Sequence, residues 1–133
     1  RIEDATTVHA IRALAAGLRT GAALTVSAAA DLPASVSSWL RAAGVTIAVE
    51  NGTAWTARAA RLAQTGGRIR LVGGSMADTA ARTGGSPAVA VYGQPVVTAG
   101  RIEMLPYLRE QAVSVSAHRF GTPRRYEIPP LTA

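Results

Sequence analysis

The stretch "VTIAVENGTAWTARAARLAQTGGRIRLVGG" (residues 45–74) decides how the rest of the chain is read. Its two ends, "VTIAVE" (45–50) and "RIRLVG" (68–73), are short runs dense in apolar and β-branched residues, the composition of strands covered on both faces. The segment between them places Trp55, Ala59 and Leu62 on one side of a helix that Asn51 or Thr53 can cap. A strand, a helix and a second strand of this length form a crossover. In one sheet such a crossover is right-handed and makes its strands parallel.

The same alternation extends in both directions. Upstream, "TTVHAIRALAAGL" (6–18) spaces Val8, Ile11, Leu14, Ala15 and Leu18 along one helical face, with Asp4 or Thr6 as cap and Gly21 beyond the end. "AALTVSA" (22–28) follows as a strand, then "DLPASVSSWLRAAG" (31–44) as a helix with Pro33 in its first turn and Gly44 at its stop. Val36, Leu40 and Ala43 share a face of that helix, with Trp39 beside them. Downstream come a short helix, "SMADTAARTGG" (75–85), and a strand, "AVAVYG" (88–93). The expected fold class is α/β: a Rossmann-like three-layer domain with a mainly parallel sheet over residues 1–94.

After Gly93 the pattern changes. "QPVVTAG" (94–100) reads as an edge strand or arm, because Pro95 cannot donate to a ladder. "RIEMLPYLREQ" (101–111) is a helix broken at Pro106. "AVSVSAHRF" (112–120) alternates like a strand with two unlike faces. Residues 95–121 are therefore expected to form a C-terminal β-flap, and the proline-bearing residues 122–133 an extended tail.

Composition narrows the function classes. With 48% hydrophobic and 17% charged residues, the 133-residue chain has the balance of a globular domain. It holds no run long and apolar enough for a membrane span. Its opening "RIED" is not a basic-then-apolar leader, so no signal peptide is expected. The lack of cysteine excludes thiolate catalysis, disulfides and thiolate metal sites, and is compatible with a cytoplasmic location. The net charge is +6 and every basic residue is Arg, which invites a nucleic-acid or regulatory-partner reading. Against that reading, the arginines are scattered singly, with one adjacent pair at Arg124–Arg125 and no aromatic ladder.

No catalytic constellation can be assembled from the residues. Serines abound without a nucleophile elbow, and His9 and His118 have no evident carboxylate partner. Glu50 and Asp78 lie near strand ends, where a cap or solvated role competes with a functional one. Gly73, Gly74 and Ser75 form the single strand–helix junction that could cradle an anion such as the pyrophosphate of NAD. A tight turn with a serine cap is the other account of the same residues. Gln111, Ser114, Ser116, His118 and Arg119 make a polar row that is either a solvated face or a contact surface.

The phrase "GRIEMLPYLREQAVSVSAHRFGTP" (100–123) resembles the C-terminal motif of long proline utilisation A (PutA) proteins and related actinobacterial L-glutamate γ-semialdehyde dehydrogenases. The positions that carry the likeness are Arg101, Glu103, Leu105, Leu108, Glu110, Gln111, Ala112, Val113, Ser114, His118, Arg119, Phe120 and Gly121. Residues before them resemble the family's C-terminal domain more loosely, through "RIRLVGG" and "AVAVYGQPVVTAGR". The resemblance implies a parent enzyme that joins a flavin-dependent proline dehydrogenase to an NAD-dependent aldehyde dehydrogenase, with FAD and NAD as cofactors. It implies that this domain is non-catalytic, binds no cofactor of its own, and covers the dehydrogenase module and the path of the intermediate. The docking residues it implies are Arg101, Leu105, Leu108, Arg109, Glu110, Gln111, Ser114, Ser116, His118, Arg119 and Phe120, in an arm that could also pair two copies. The missing cysteine nucleophile fits that demotion, and a start without methionine leads to the expectation that the chain is a piece of a longer protein.

Overall fold

Eight elements alternate from Thr7 to Tyr92: α1 (Thr7–Arg19), β1 (Thr25–Ala28), α2 (Ala34–Ala42), β2 (Thr46–Val49), α3 (Gly52–Thr65), β3 (Gly67–Arg70), α4 (Met76–Arg82) and β4 (Val89–Tyr92). The computed structural model describes residues 1–109, and the described chain closes with α5 (Gly100–Met104) and a 3-10 turn (Leu105–Tyr107). Six of the eight alternating elements fall inside a segment that the sequence assigns to the same type; α1 runs one residue past its expected segment, to Arg19, and β3 begins one residue early, at Gly67. Thr6, Asn51 and Ser75 cap α1, α3 and α4, their side-chain oxygens accepting from the backbone N–H of His9, Ala54 and Asp78. Pro33 stands one position earlier than expected, at the N-cap of α2.

The strands form two parallel pairs. β1 pairs with β2, Thr25 opposite Thr46 through Ala28 opposite Val49. β3 pairs with β4, Gly67 opposite Val89 through Arg70 opposite Tyr92. What lies between the pairs was not foreseen. Ile2 makes a parallel bridge to Ala28 on one side and to Val72 on the other. The Ile2 N–H donates to the Ser27 carbonyl (2.8 Å), Ala29 N–H to Ile2 (3.0 Å), Glu3 N–H to Val72 (2.9 Å) and Val72 N–H to Arg1 (2.8 Å). The rows therefore run β2, β1, the Arg1–Glu3 segment, β3, β4. The segment expected to lead directly into a helix is the short middle row that joins the two pairs.

Two apolar cores flank this row. Leu14, Val26, Val36, Leu40 and Val45 form one, with Ile2, Leu18, Leu24, Leu32 and Ile47 packed against it. Trp55, Ala59, Ile69 and Val89 form the other, with Leu62 and Val91. With so few aromatics, close approach of small residues does much of the filling. α1 turns Ala10, Ala13, Leu14, Ala16 and Gly17 inward, while Val8 and Ile11, expected on its buried face, are exposed. Gly17 explains the choice of face: a Cβ there would lie 2.9 Å from both Leu24 Cδ1 and Tyr107 Cε1, so those side chains occupy the space a larger residue would need. In α2, Ser37 is buried with Val36 and Leu40, whereas Ala43 is exposed at the C-cap.

Residues 94–99 form no strand, so "QPVVTAG" is an arm rather than an edge strand. Pro106 ends α5 and sits in the 3-10 turn, the break expected at that proline. In the described part of the expected β-flap, residues 95–99 are irregular and 100–107 helical. Its expected strand, residues 112–120, and the tail lie outside the described residues.

Candidate functional site

The C-terminal segment is fastened to the body by one buried ion pair. Arg70, on β3, donates from Nε to Glu103 Oε1 (2.7 Å) and from Nη2 to Glu103 Oε2 (3.0 Å), a bidentate fork with both side chains about 95% buried. Its Nη1 donates to the carbonyls of Leu71 (2.8 Å), Tyr92 (3.2 Å) and Gln94 (2.8 Å). Glu103 Oε2 also accepts from the Val97 N–H (3.2 Å). One guanidinium thereby fixes the end of β4, the arm after it and α5. Tyr107 adds a wedge against Gly17, and burial pushes its hydroxyl up to about 12, so it stays a neutral phenol at any physiological pH.

With Glu103 turned inward, its neighbours on α5 and the turn face out. Ile102 is 58% exposed, Leu105 59% and Leu108 42%. Single exposed apolar residues are ordinary, but three within seven positions on one anchored segment make a row. Arg101 and Arg109 are exposed beside them. Of the sequence-assigned docking residues, Arg101, Leu105, Leu108 and Arg109 are exposed on this segment, and Arg109 also lines the cavity beside β1 and β3. Glu110, Gln111, Ser114, Ser116, His118, Arg119 and Phe120 lie outside the described residues.

The Gly73–Ser75 junction has a different occupant from the one a cofactor site would need. Gly73 and Gly74 both adopt positive φ (74° and 71°), which favours glycine. A side chain on Gly73 would collide with the Glu3 carbonyl oxygen, and one on Gly74 with the Glu3 carboxylate. The glycines thus make room for the protein's own middle row. Ser75 caps α4, and that seven-residue helix carries Asp78 in its first turn. Glu3, paired with Arg1, fills the space over the two glycines, and Asp78 sits just inside the helix, where it takes up the favourable helix-end field that a pyrophosphate would use. The nearby cavity at these strand ends, lined by Asp4, Asp31, Thr7 and Pro33 among others, holds about 210 Å³, small for a dinucleotide.

Glu50, the other strand-end carboxylate, belongs to a polar seam between the two cores. Ser27 Oγ donates to Glu50 Oε1 (2.6 Å) and Arg58 Nε donates to the same oxygen (2.8 Å). The Arg1 guanidinium donates to Ser27 Oγ (2.9 Å), the Glu50 carbonyl (3.2 Å) and Glu3 Oε1 (2.8 Å), and lies 5.3 Å from the centre of the Trp55 ring. The Arg58 hydrogen bond, with help from Ser27 and the nearby charges, outweighs burial and holds the Glu50 carboxyl below its usual 4.5. A carboxylate lowered on folding stabilises above its unfolded value and loses that contribution as pH falls through the folded one. Glu50→Gln is therefore expected to lower stability at pH 7, with the gap to the parent closing as pH falls below the usual 4.5 and through the lowered value, in urea titrations at a series of pH values.

Arg1, Glu3, Ser27 and Arg58 were not singled out from the sequence. Their partners are 23 to 49 positions away for the Ser27–Glu50 and Arg1–Glu50 contacts, and no local pattern announces such pairs. A cavity of about 930 Å³ opens beside this seam between the early halves of β1 and β3. Among the described residues no group of His, Asp or Glu is placed to hold a metal ion, and His9 is exposed on α1. No helix among them is long and apolar enough to cross a membrane. Comparison with family models, characterised proteins and solved structures gave no match to this chain.

Proposed function

We propose that the chain is a non-catalytic, Rossmann-like domain that docks on an NAD-dependent L-glutamate γ-semialdehyde dehydrogenase module of a bifunctional proline-catabolic enzyme, covering that module and the path of its intermediate. The observation that carries the reading is the row Ile102–Leu105–Leu108, exposed on a segment whose own carboxylate, Glu103, is buried in the body. An inward ion pair and an outward apolar row are what a docking edge requires: rigidity without a partner, and unburied apolar area for one. The row coincides with the motif at Arg101–Leu108 that resembles the C-terminus of proline utilisation A proteins. The order of rows, with the middle one contributed by the start of the chain, supports a Rossmann-like arrangement.

The rival in which Gly73–Ser75 binds NAD is disfavoured by Glu3 and Asp78 at that junction. The nucleic-acid rival is disfavoured by where the arginines go: Arg1 and Arg70 are buried, and Arg58 is paired with Glu50. Titrating the chain with NAD while following Trp39 and Trp55 fluorescence tests the reading. No saturable change up to millimolar NAD, and no oxidation of the semialdehyde by the chain alone, are the expected results. Saturable binding that Ser75→Asp abolishes would establish the cofactor-site rival instead.

A further inference from the structure

We propose that the cavity between β1 and β3 is a strand slot, which receives an extended polypeptide segment running parallel to both and leading into Arg1. Ile2 bridges Ala28 and Val72 together, so at that level β1 and β3 stand two strand spacings apart, about 9.6 Å. Towards the starts of β1 and β3 the same interval holds no described row. It is the cavity of about 930 Å³, with Thr25, Val26 and Ser27 along one wall and Gly67 to Arg70 along the other.

The walls present strand-pairing groups. In a parallel ladder the N–H and C=O of one residue point to one side, and alternate residues to opposite sides. Ser27 offers its carbonyl to Ile2, whereas Ala28 offers its carbonyl to Glu50 beyond β2. The Ser27 N–H and both peptide groups of Thr25 therefore face the cavity. Arg70 offers its carbonyl to the Arg1 amine (2.8 Å), while Leu71 N–H donates to Tyr92 on the other side. The Arg70 N–H and both peptide groups of Arg68 accordingly face the cavity too. No described residue gives these groups a backbone partner, and a strand entering the slot would pair them.

The remaining lining fits the two faces of a covered strand. Ala13 and Leu14 from α1, with Trp55 and Leu62 from α3, supply apolar surface. A central parallel strand is apolar on both faces, so the segment that fits is rich in Val, Ile or Thr. The Arg1 amine is the end of the existing row. Burial, chiefly, lowers it from 8.0 to about 5; its own guanidinium and Arg70 push the same way, against Glu3 and Glu50.

The test compares the chain with two versions extended ahead of Arg1, one by Val-Thr-Val-Thr and one by Gly-Pro-Gly-Pro. Both lose the titrating amine, so their difference isolates strand insertion: a proline ring next to Arg1 stands where an N–H would meet the Thr25 carbonyl and blocks the approach to β1. With the first, exchange of the Ser27 and Arg70 amides should slow by about a hundredfold relative to the second, and the thermal midpoint should rise by several degrees. Equal exchange in the two versions would overturn the proposal. So would protection of those amides in the unextended chain by millimolar inorganic phosphate, which would make the lining Arg58, Arg68 and Arg109 an anion site instead.

Discussion

Glu103→Ala should unfold the C-terminal segment and cost the domain about 3–5 kcal/mol, because it leaves the Arg70 guanidinium buried with no counter-charge. In a domain of this size that is a fall of more than about 10 °C in thermal midpoint. Most of the loss comes from the stranded charge rather than from the pair's net attraction. The double variant Arg70→Met/Glu103→Leu should therefore be more stable than Glu103→Ala alone. It will still fall short of the parent, since the carbonyls of Leu71, Tyr92 and Gln94 lose their donor. Calorimetry on the three proteins measures the ordering; a double variant no better than the single would show that the cost lies in packing.

The second large effect belongs to the outer side of the same segment. Replacing Ile102, Leu105 and Leu108 together by Ser removes side chains that the isolated domain buries about half-way, so its stability should fall by roughly 1 kcal/mol apiece. Association with the proposed dehydrogenase module should lose a further amount of similar size. Each side chain, about half exposed, has roughly 1 kcal/mol of further burial to gain on docking, and three together amount to about a hundredfold in affinity. The two sets of variants thus separate the roles of one short segment: Glu103 holds it, and the leucines and Ile102 use it.

Much of this architecture was legible in the residues, for identifiable reasons. Helices with Thr6, Asn51 or Ser75 as caps and strands of Val, Ile and Ala announce themselves locally, and Pro106 marks its own break. The large apolar residues Val8 and Ile11 do not mark the buried face of α1. The core instead accepts Ala10, Ala13 and Gly17, whose small size lets Leu24 and Tyr107 approach. The middle row escaped notice since three residues cannot show a period, and their role depends on Ala28 and Val72, distant in the chain. Glu103 stood within a recognisable motif, yet its partner Arg70 lies 33 positions earlier and inside a strand, so the anchor could not be read from spacing. The glycines at 73 and 74 make a tight turn before the Ser75 cap, one of the two accounts their sequence allowed, and the neighbour against that turn, Glu3, is not written in any local pattern.

The most direct test of the docking account is titration calorimetry of this chain into a proline utilisation A dehydrogenase module lacking its own C-terminal domain, with semialdehyde oxidation followed in parallel. Saturable binding that raises the module's activity, and that Ile102→Ser/Leu105→Ser/Leu108→Ser weakens about a hundredfold, is the result expected. Binding by the triple variant as tight as the parent's, or turnover of the semialdehyde by the chain with no module present, would contradict it.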